Sequence, residues 1–162
     1  MLNRKSIYSG FTVIELVIVL VVAGVIATVI SVRWPGFSIN LNAQAELLAD
    51  DIRYTQNLAM TKAQRHRLVK TSANSYQIAD STGAVVVMPS GASSVTFGSG
   101  ISFGSITNLP NNLIGFNSQG APYVDTGTPG TALSTVATIA LTSSSGTSIV
   151  SIYPETGWVV TS

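Results

Sequence analysis

Glu15 is the one formal charge among the 22 residues from Phe11 to Val32, a run otherwise built from Val, Ile, Leu, Ala, Gly, Thr, Ser and Phe. Drawn as a helix at about 1.5 Å per residue, the run is roughly 33 Å long, enough to cross a hydrocarbon core. An acidic side chain at that depth costs about 2.5–3.5 kcal/mol on insertion scales, less near the interface, so it needs a partner. The chemistry offered here is charge pairing, and no group elsewhere in the chain offers catalysis. His66 stands between Arg65 and Arg67 with no second His, no Cys and no acidic cluster nearby, which removes a metal role. Asp80, Asp125 and Glu155 are far apart in sequence and read as single surface or turn acids. There is no Gly-rich phosphate loop, paired-acid motif or metal-ligand spacing. The chain reads as non-enzymatic, with no catalytic residue, cofactor or metal expected.

Before the apolar run lie Arg4 and Lys5, and the segment ends in Ser9 and Gly10. Two cations ahead of an apolar run hold the N-terminus in the cytoplasm and send the rest outward. An ordinary cleaved signal has an apolar region of about 7–15 residues followed by its cleavage site. Here the run is longer, begins with an acid and ends in Arg33-Trp34, an interfacial pair suited to snorkelling and headgroup contact.

Taken together, Arg4 and Lys5, Gly10-Phe11-Thr12-Val13-Ile14-Glu15 and the apolar helix from Leu16 resemble the type IV pilin and type II secretion pseudopilin family. The resemblance implies cleavage by a prepilin peptidase between Gly10 and Phe11 and methylation of the new Phe11 amine. It also implies that Glu15 pairs with the terminal amine of a neighbouring subunit during assembly. Spacing alone leaves that pair open. Four residues put both charges on one helix face, so they can meet within a chain, or between chains and so set the axial register of one helix against the next. The implied partners are the peptidase, other major and minor pilins through the N-terminal helix, inner-membrane lipid and the pilus assembly machinery.

The chain has 162 residues and a formal net charge of +1, a length suited to one domain plus a membrane segment. With no cysteine, no disulfide closes the C-terminal strands, which packing and hydrogen bonds must hold. All eight Lys and Arg lie at or before Lys70, and residues 71–162 carry a formal −3. That balance argues against an electrostatic grip on nucleic acid, and none is expected as a partner.

The elements that must position Glu15 follow in order. Pro35-Gly36 should kink or break the helix, with interruption over Pro35–Asn40 and resumption by about Leu41. From Leu41 to Gln64 the apolar positions Leu41, Ala45, Leu48, Ile52, Thr55, Ala59 and Ala63 alternate steps of four and three, the stripe of an amphipathic helix pressed on its own sheet. The opposite face carries Glu46, Asp50, Arg53 and Asn57, with Asp50 and Arg53 spaced for a local pair. Lys62, Arg65, His66, Arg67 and Lys70 read as a solvated helix end whose cations complement the helix dipole. After Lys70, period two and frequent turns predict strands at Arg67–Thr71, Ser75–Ala79, Ala84–Met88, Ser94–Phe97, Ile101–Phe103 and Leu113–Phe116. Further strands are predicted at Ala121–Val124, Val136–Thr142, Thr147–Tyr153 and Gly157–Val160, with loops over Gly104–Asn112 and Asp125–Ser134.

The fold class is therefore α+β: a long N-terminal helix, half membrane-spanning and half amphipathic, interrupted near Pro35 and packed on a C-terminal antiparallel β domain. The expected domains are a leader at 1–10, an assembly helix at 11–33, its amphipathic continuation at 34–65 and a β domain at 66–162. Leu113–Gly120 and Val150–Val159, the latter with its Pro154-Glu155-Thr156-Gly157 turn, look like globular-domain signatures of H-type minor pilins and pseudopilins. Asn42–Arg67 is most similar to the branch of minor pilins of the mannose-sensitive haemagglutinin pilus. The resemblance implies a minor pilin, single-pass in the inner membrane with a periplasmic C-terminal domain and then extracellular in the pilus, supporting pilus biogenesis and adhesion. The alternatives are a minor pseudopilin of type II secretion and a DNA-uptake minor pilin, which would use the basic tail this chain lacks. Tyr123 and Trp158, among Asn-, Ser- and Gly-rich loops, are candidates for a sugar contact.

Overall fold

The computed structural model describes the backbone of residues 12–32 and 36–162 and the side chains of residues 12–24 and 40–162. Arg4, Lys5, Gly10, Phe11 and Pro35 lie outside the described residues, and with them the expected cleavage site, methylated amine and helix kink. The chain forms two compact units, Met1–Pro35 and Gly36–Ser162. The first contains helix α1 (Val13–Val32).

The second unit opens with helix α2 (Gly36–Thr61), followed by strands β1 (His66–Lys70), β2 (Ser75–Asp80), β3 (Val95–Thr96), β4 (Ser102–Thr107) and β5 (Leu113–Phe116). β6 (Pro122–Tyr123), β7 (Ala137–Ser143), β8 (Gly146–Ile152) and β9 (Val159–Thr161) complete it. All pairings are antiparallel and fall into two sheets, β3-β2-β1-β5-β6 and β4-β7-β8-β9. This is an α+β fold in which one helix lies against both sheets, touching β1 and β5 of the first and β7, β8 and β9 of the second.

The stripe predicted for α2 is the face that makes this contact. Ala45, Leu48, Ala49, Ile52, Thr55 and Ala59 are fully buried and join Tyr76, Ile114, Phe116, Leu141, Val150 and Ile152 in one core. Small residues at Ala45, Ala49 and Ala59 let the helix backbone approach the sheets, while Leu48 and Ile52 fill the space between them. Thr55 is satisfied without leaving the core, its hydroxyl donating to the Asp51 carbonyl at 2.7 Å. On the outer face Asp50 and Arg53 form the expected pair at 2.6 Å, and Arg53 also donates to the Val159 carbonyl at 2.9 Å.

Several expectations need correction. Helical backbone is already present at Gly36, five residues ahead of the expected resumption, and the helix stops at Thr61 instead of Gln64. Ala63, counted in the apolar stripe, is exposed at φ 49° in a left-handed helix stop. There the Ala63 and Gln64 N–H groups donate back to the Met60 and Ala59 carbonyls at 3.3 and 3.1 Å. Ala84–Met88 is no full strand: Val85 bridges Ala79, after which Met88 turns inward and is buried. Gly104–Asn112 is a loop only in its second half, because β4 runs on to Thr107 through a bulge between Phe103 and Ile106. That extra residue breaks the period-two pattern on which a strand is recognised. Gly157 belongs to a turn at φ 66°, so the last strand starts at Val159.

Candidate functional site

Thr12 and Glu15 together start α1. The Thr12 carbonyl accepts from the Glu15 and Leu16 N–H groups at 3.1 and 3.2 Å, and its hydroxyl accepts from the Glu15 N–H at 3.4 Å. Thr at the cap with Glu three residues on is the capping-box pattern, and a carboxylate in the first turn also complements the helix dipole. Thr-x-x-Glu therefore has a local structural reason that holds whatever Glu15 pairs with. Beyond the cap, Val13, Ile14 and Leu16 to Val22 expose between 48% and 81% of their surface. A helix apolar around its whole circumference is covered by lipid or by other helices. Glu15 is exposed among these residues. Among the described residues no helix is long and apolar enough to cross a membrane, and the span expected over 11–33 extends past the described side chains.

The basic cluster is not a solvated helix end. Only Lys62 lies at the end of α2; Arg67 and Lys70 belong to β1, and His66 is fully buried with its Nδ1 2.9 Å from the Gln64 carbonyl. The Arg65 guanidinium stacks over Tyr123 at 4.5 Å from the ring centre and donates to the Gly127 carbonyl. Lys70 sits 5.3 Å from the centre of the Phe103 ring. These cations cover aromatic faces of their own domain. Period two in β1 splits the cluster, sending His66 and Leu68 inward and Arg67, half-buried, to the opposite face.

The acids after Lys70 are turn builders. Asp80 accepts from the Thr82 N–H and hydroxyl and from the Ala84 N–H, and these bonds hold its carboxyl below the usual range, with the Thr82 hydroxyl the largest cause. Asp125 accepts from the Thr131 hydroxyl and from the Gly127 and Thr131 N–H groups, again lowering its carboxyl, chiefly through Thr131. Glu155 occupies a left-handed turn position at φ 63°. Among the described residues no three His, Cys, Asp or Glu side chains are grouped to hold a metal. Tyr123 is buried, its hydroxyl donating to the His66 carbonyl at 3.4 Å, which ends its candidacy for a sugar contact. Trp158 is exposed, 5.3 Å centre to centre from Tyr153.

No protein-family model and no curated protein matches the chain. Among solved structures it is similar to the type IV minor pilin FimU of Pseudomonas aeruginosa strain PAO1 in two crystal forms. With the P21 form it shares 15% identity at a TM-score of 0.53, over 75% of this chain and 87% of that one. With the P65 form it shares 14% identity at a TM-score of 0.52, over 75% and 92%. The fold is a type IV pilin fold.

Within this pilin fold the two turn motifs singled out in the sequence come together on one side chain. Gln56 of α2 donates through Nε2 to the Gly120 carbonyl at 2.8 Å and to the Thr156 carbonyl at 2.7 Å. Gly120 at φ 82° and Gly157 at φ 66° give both turns their left-handed corners. A Cβ on Gly157 would lie 2.7 Å from the Phe116 ring and 2.8 Å from Gln56. The motifs are therefore structural, since they dock the first sheet, the second sheet and the helix at one point. Gln56 was not found from sequence, because one polar residue beside an apolar stripe has no pattern of its own. Asp51 escaped for the same reason, although its carboxylate receives the Tyr76 hydroxyl at 2.6 Å from β2.

Proposed function

We propose that the chain is a minor pilin subunit of a type IV pilus, a structural subunit with no catalytic role. It is cut between Gly10 and Phe11 by a prepilin peptidase, methylated at Phe11 and held in the inner membrane by residues 11–33. Its C-terminal domain faces the periplasm until the subunit enters the fibre, in the shaft or at the tip, with other pilins and the assembly machinery as partners. Arg4 and Lys5 orient the leader, and Glu15 pairs with the amine of a neighbouring subunit. The observation that carries this reading is a capped apolar helix whose described side chains are all exposed, with Glu15 its one charge, on a chain whose second unit has a pilin fold. The likeness of Asn42–Arg67 supports placing it with the minor pilins of the mannose-sensitive haemagglutinin pilus.

A minor pseudopilin of type II secretion would use the same membrane chemistry, so a deletion strain separates the two. Loss of surface pili with normal exoprotein secretion, restored by the wild-type gene, is the expected result. Loss of secretion with normal pili would replace this reading by the pseudopilin one. A DNA-uptake subunit has least support, because no cation follows Lys70 and the cations at Arg65 and Lys70 are spent on aromatic rings.

A further inference from the structure

The last strand, β9, closes one side of the second sheet, whose order is β4-β7-β8-β9. It pairs with β8 at Val150↔Thr161, Ser151↔Val160 and Ile152↔Val159. Just beyond, Ile149 and Ser162 exchange both of their backbone bonds, at 2.8 and 2.9 Å. By alternation Val160 also turns its N–H and C=O to β8, while Val159 and Thr161 turn theirs to the open side. The strand has no guard of its own, for Trp158-Val159-Val160-Thr161-Ser162 holds no charged side chain and no proline. The charges come from α2. Arg53 donates through Nη2 to the Val159 carbonyl at 2.9 Å, and its Nη1 is held by Asp50 at 2.6 Å. Earlier on the same flank of α2, Glu46 accepts from the Thr161 hydroxyl.

We infer that Arg53 and Glu46 guard the open side of β9 against the addition of a further strand. Arg53 occupies the outward acceptor of Val159, and Glu46 stands at Thr161, the other outward residue. Both charges reach solvent: Glu46 is exposed, and the side chains of Arg53 and its partner Asp50 are 42% and 70% exposed. An exposed ion pair of this kind adds little to folding stability. A strand arriving at the edge would have to break the Val159 bond and strip water from both charges, a much larger cost. The arrangement is therefore better matched to refusing a strand than to holding β9 in place. The β8 ladder and the buried Val159 side chain already hold it. The guard lies wholly within the second unit, so it does not depend on how α1 assembles.

The test compares the mass of full-length chains in detergent micelles by light scattering. Arg53→Met combined with Glu46→Gln removes both charges while keeping the length of each side chain, and should at least double the wild-type mass. The Thr161 amide, open to solvent in the wild type, should then become protected from hydrogen exchange. Thr161→Pro deletes that outward N–H without touching the β8 ladder, a substitution that an edge strand accepts. Added to the double variant, it should return the mass to the wild-type value. Arg53→Lys keeps a charge at the edge and should stay at the wild-type mass. Gln56→Ala weakens the same junction of helix and sheet without uncovering β9, and should also stay there. A wild-type mass in the double variant, a gain that survives Thr161→Pro, or an equal gain from Arg53→Lys or Gln56→Ala would overturn the guard.

Discussion

Asp51 and Tyr76 form a contact in a desolvated site whose contribution to stability depends on pH. Burial raises the Asp51 carboxyl above its ordinary value of 3.8, opposed by the Tyr76 hydrogen bond and reinforced by the Asp50 charge. The Tyr76 hydroxyl is pushed upward as well, first by burial and then by Asp51. Between the unfolded and folded values the folded chain keeps a proton that the unfolded chain has released. The contribution of Asp51 is thus fully present below 3.8 and is lost as pH rises through the raised folded value. Asp51→Asn keeps an acceptor for the Tyr76 hydroxyl and removes the half-buried charge. Its urea midpoint relative to wild type should therefore climb between pH 4 and pH 7. Asp51→Ala strands the buried hydroxyl and should cost about 1–3 kcal/mol at either pH.

At the scale of elements, α2 is held by its polar flanks as much as by its stripe. Asp51 reaches β2, Arg53 and Glu46 reach β9, and Gln56 closes both turn motifs. Gln56→Ala leaves two carbonyls without their donor and opens space beneath Gly157, so unfolding in urea should show a loss of about 1–3 kcal/mol. The helix end makes the opposite prediction. Ala63 is exposed at φ 49°, a conformation that costs an L-residue with a Cβ more than glycine. Ala63→Gly should raise stability by about 1 kcal/mol, read as a higher urea midpoint with an unchanged slope. An unchanged midpoint would mean that the turn relaxes without strain.

For the whole molecule, the two compact units divide the labour. Glu15 lies in the first, on a helix whose described side chains are all exposed, and the core lies in the second. Glu15→Ala should therefore leave the second unit folded and the leader cut, while failing to restore pili in a deletion strain. Protease resistance of the second unit, leader processing on gels and surface pilus counts check the three parts. Full restoration of pili by Glu15→Ala would sink the intermolecular pair.

What the sequence determined by itself is what local physics decides. The apolar run with Glu15, the α2 stripe and the Asp50–Arg53 pair follow from spacing along one helix. Leu113–Phe116 is recovered with its bounds, because short apolar runs between turn residues seldom read otherwise. The tertiary structure decided what depends on partners distant in the chain. It buried His66, set Arg65 and Lys70 on aromatic rings, reduced Ala84–Met88 to a bridge and joined two turns 36 residues apart (Gly120 and Thr156) on Gln56. None of these has a period or a motif, since each is fixed by which strand lies next to which, and that order is set by the packing of two sheets around one helix.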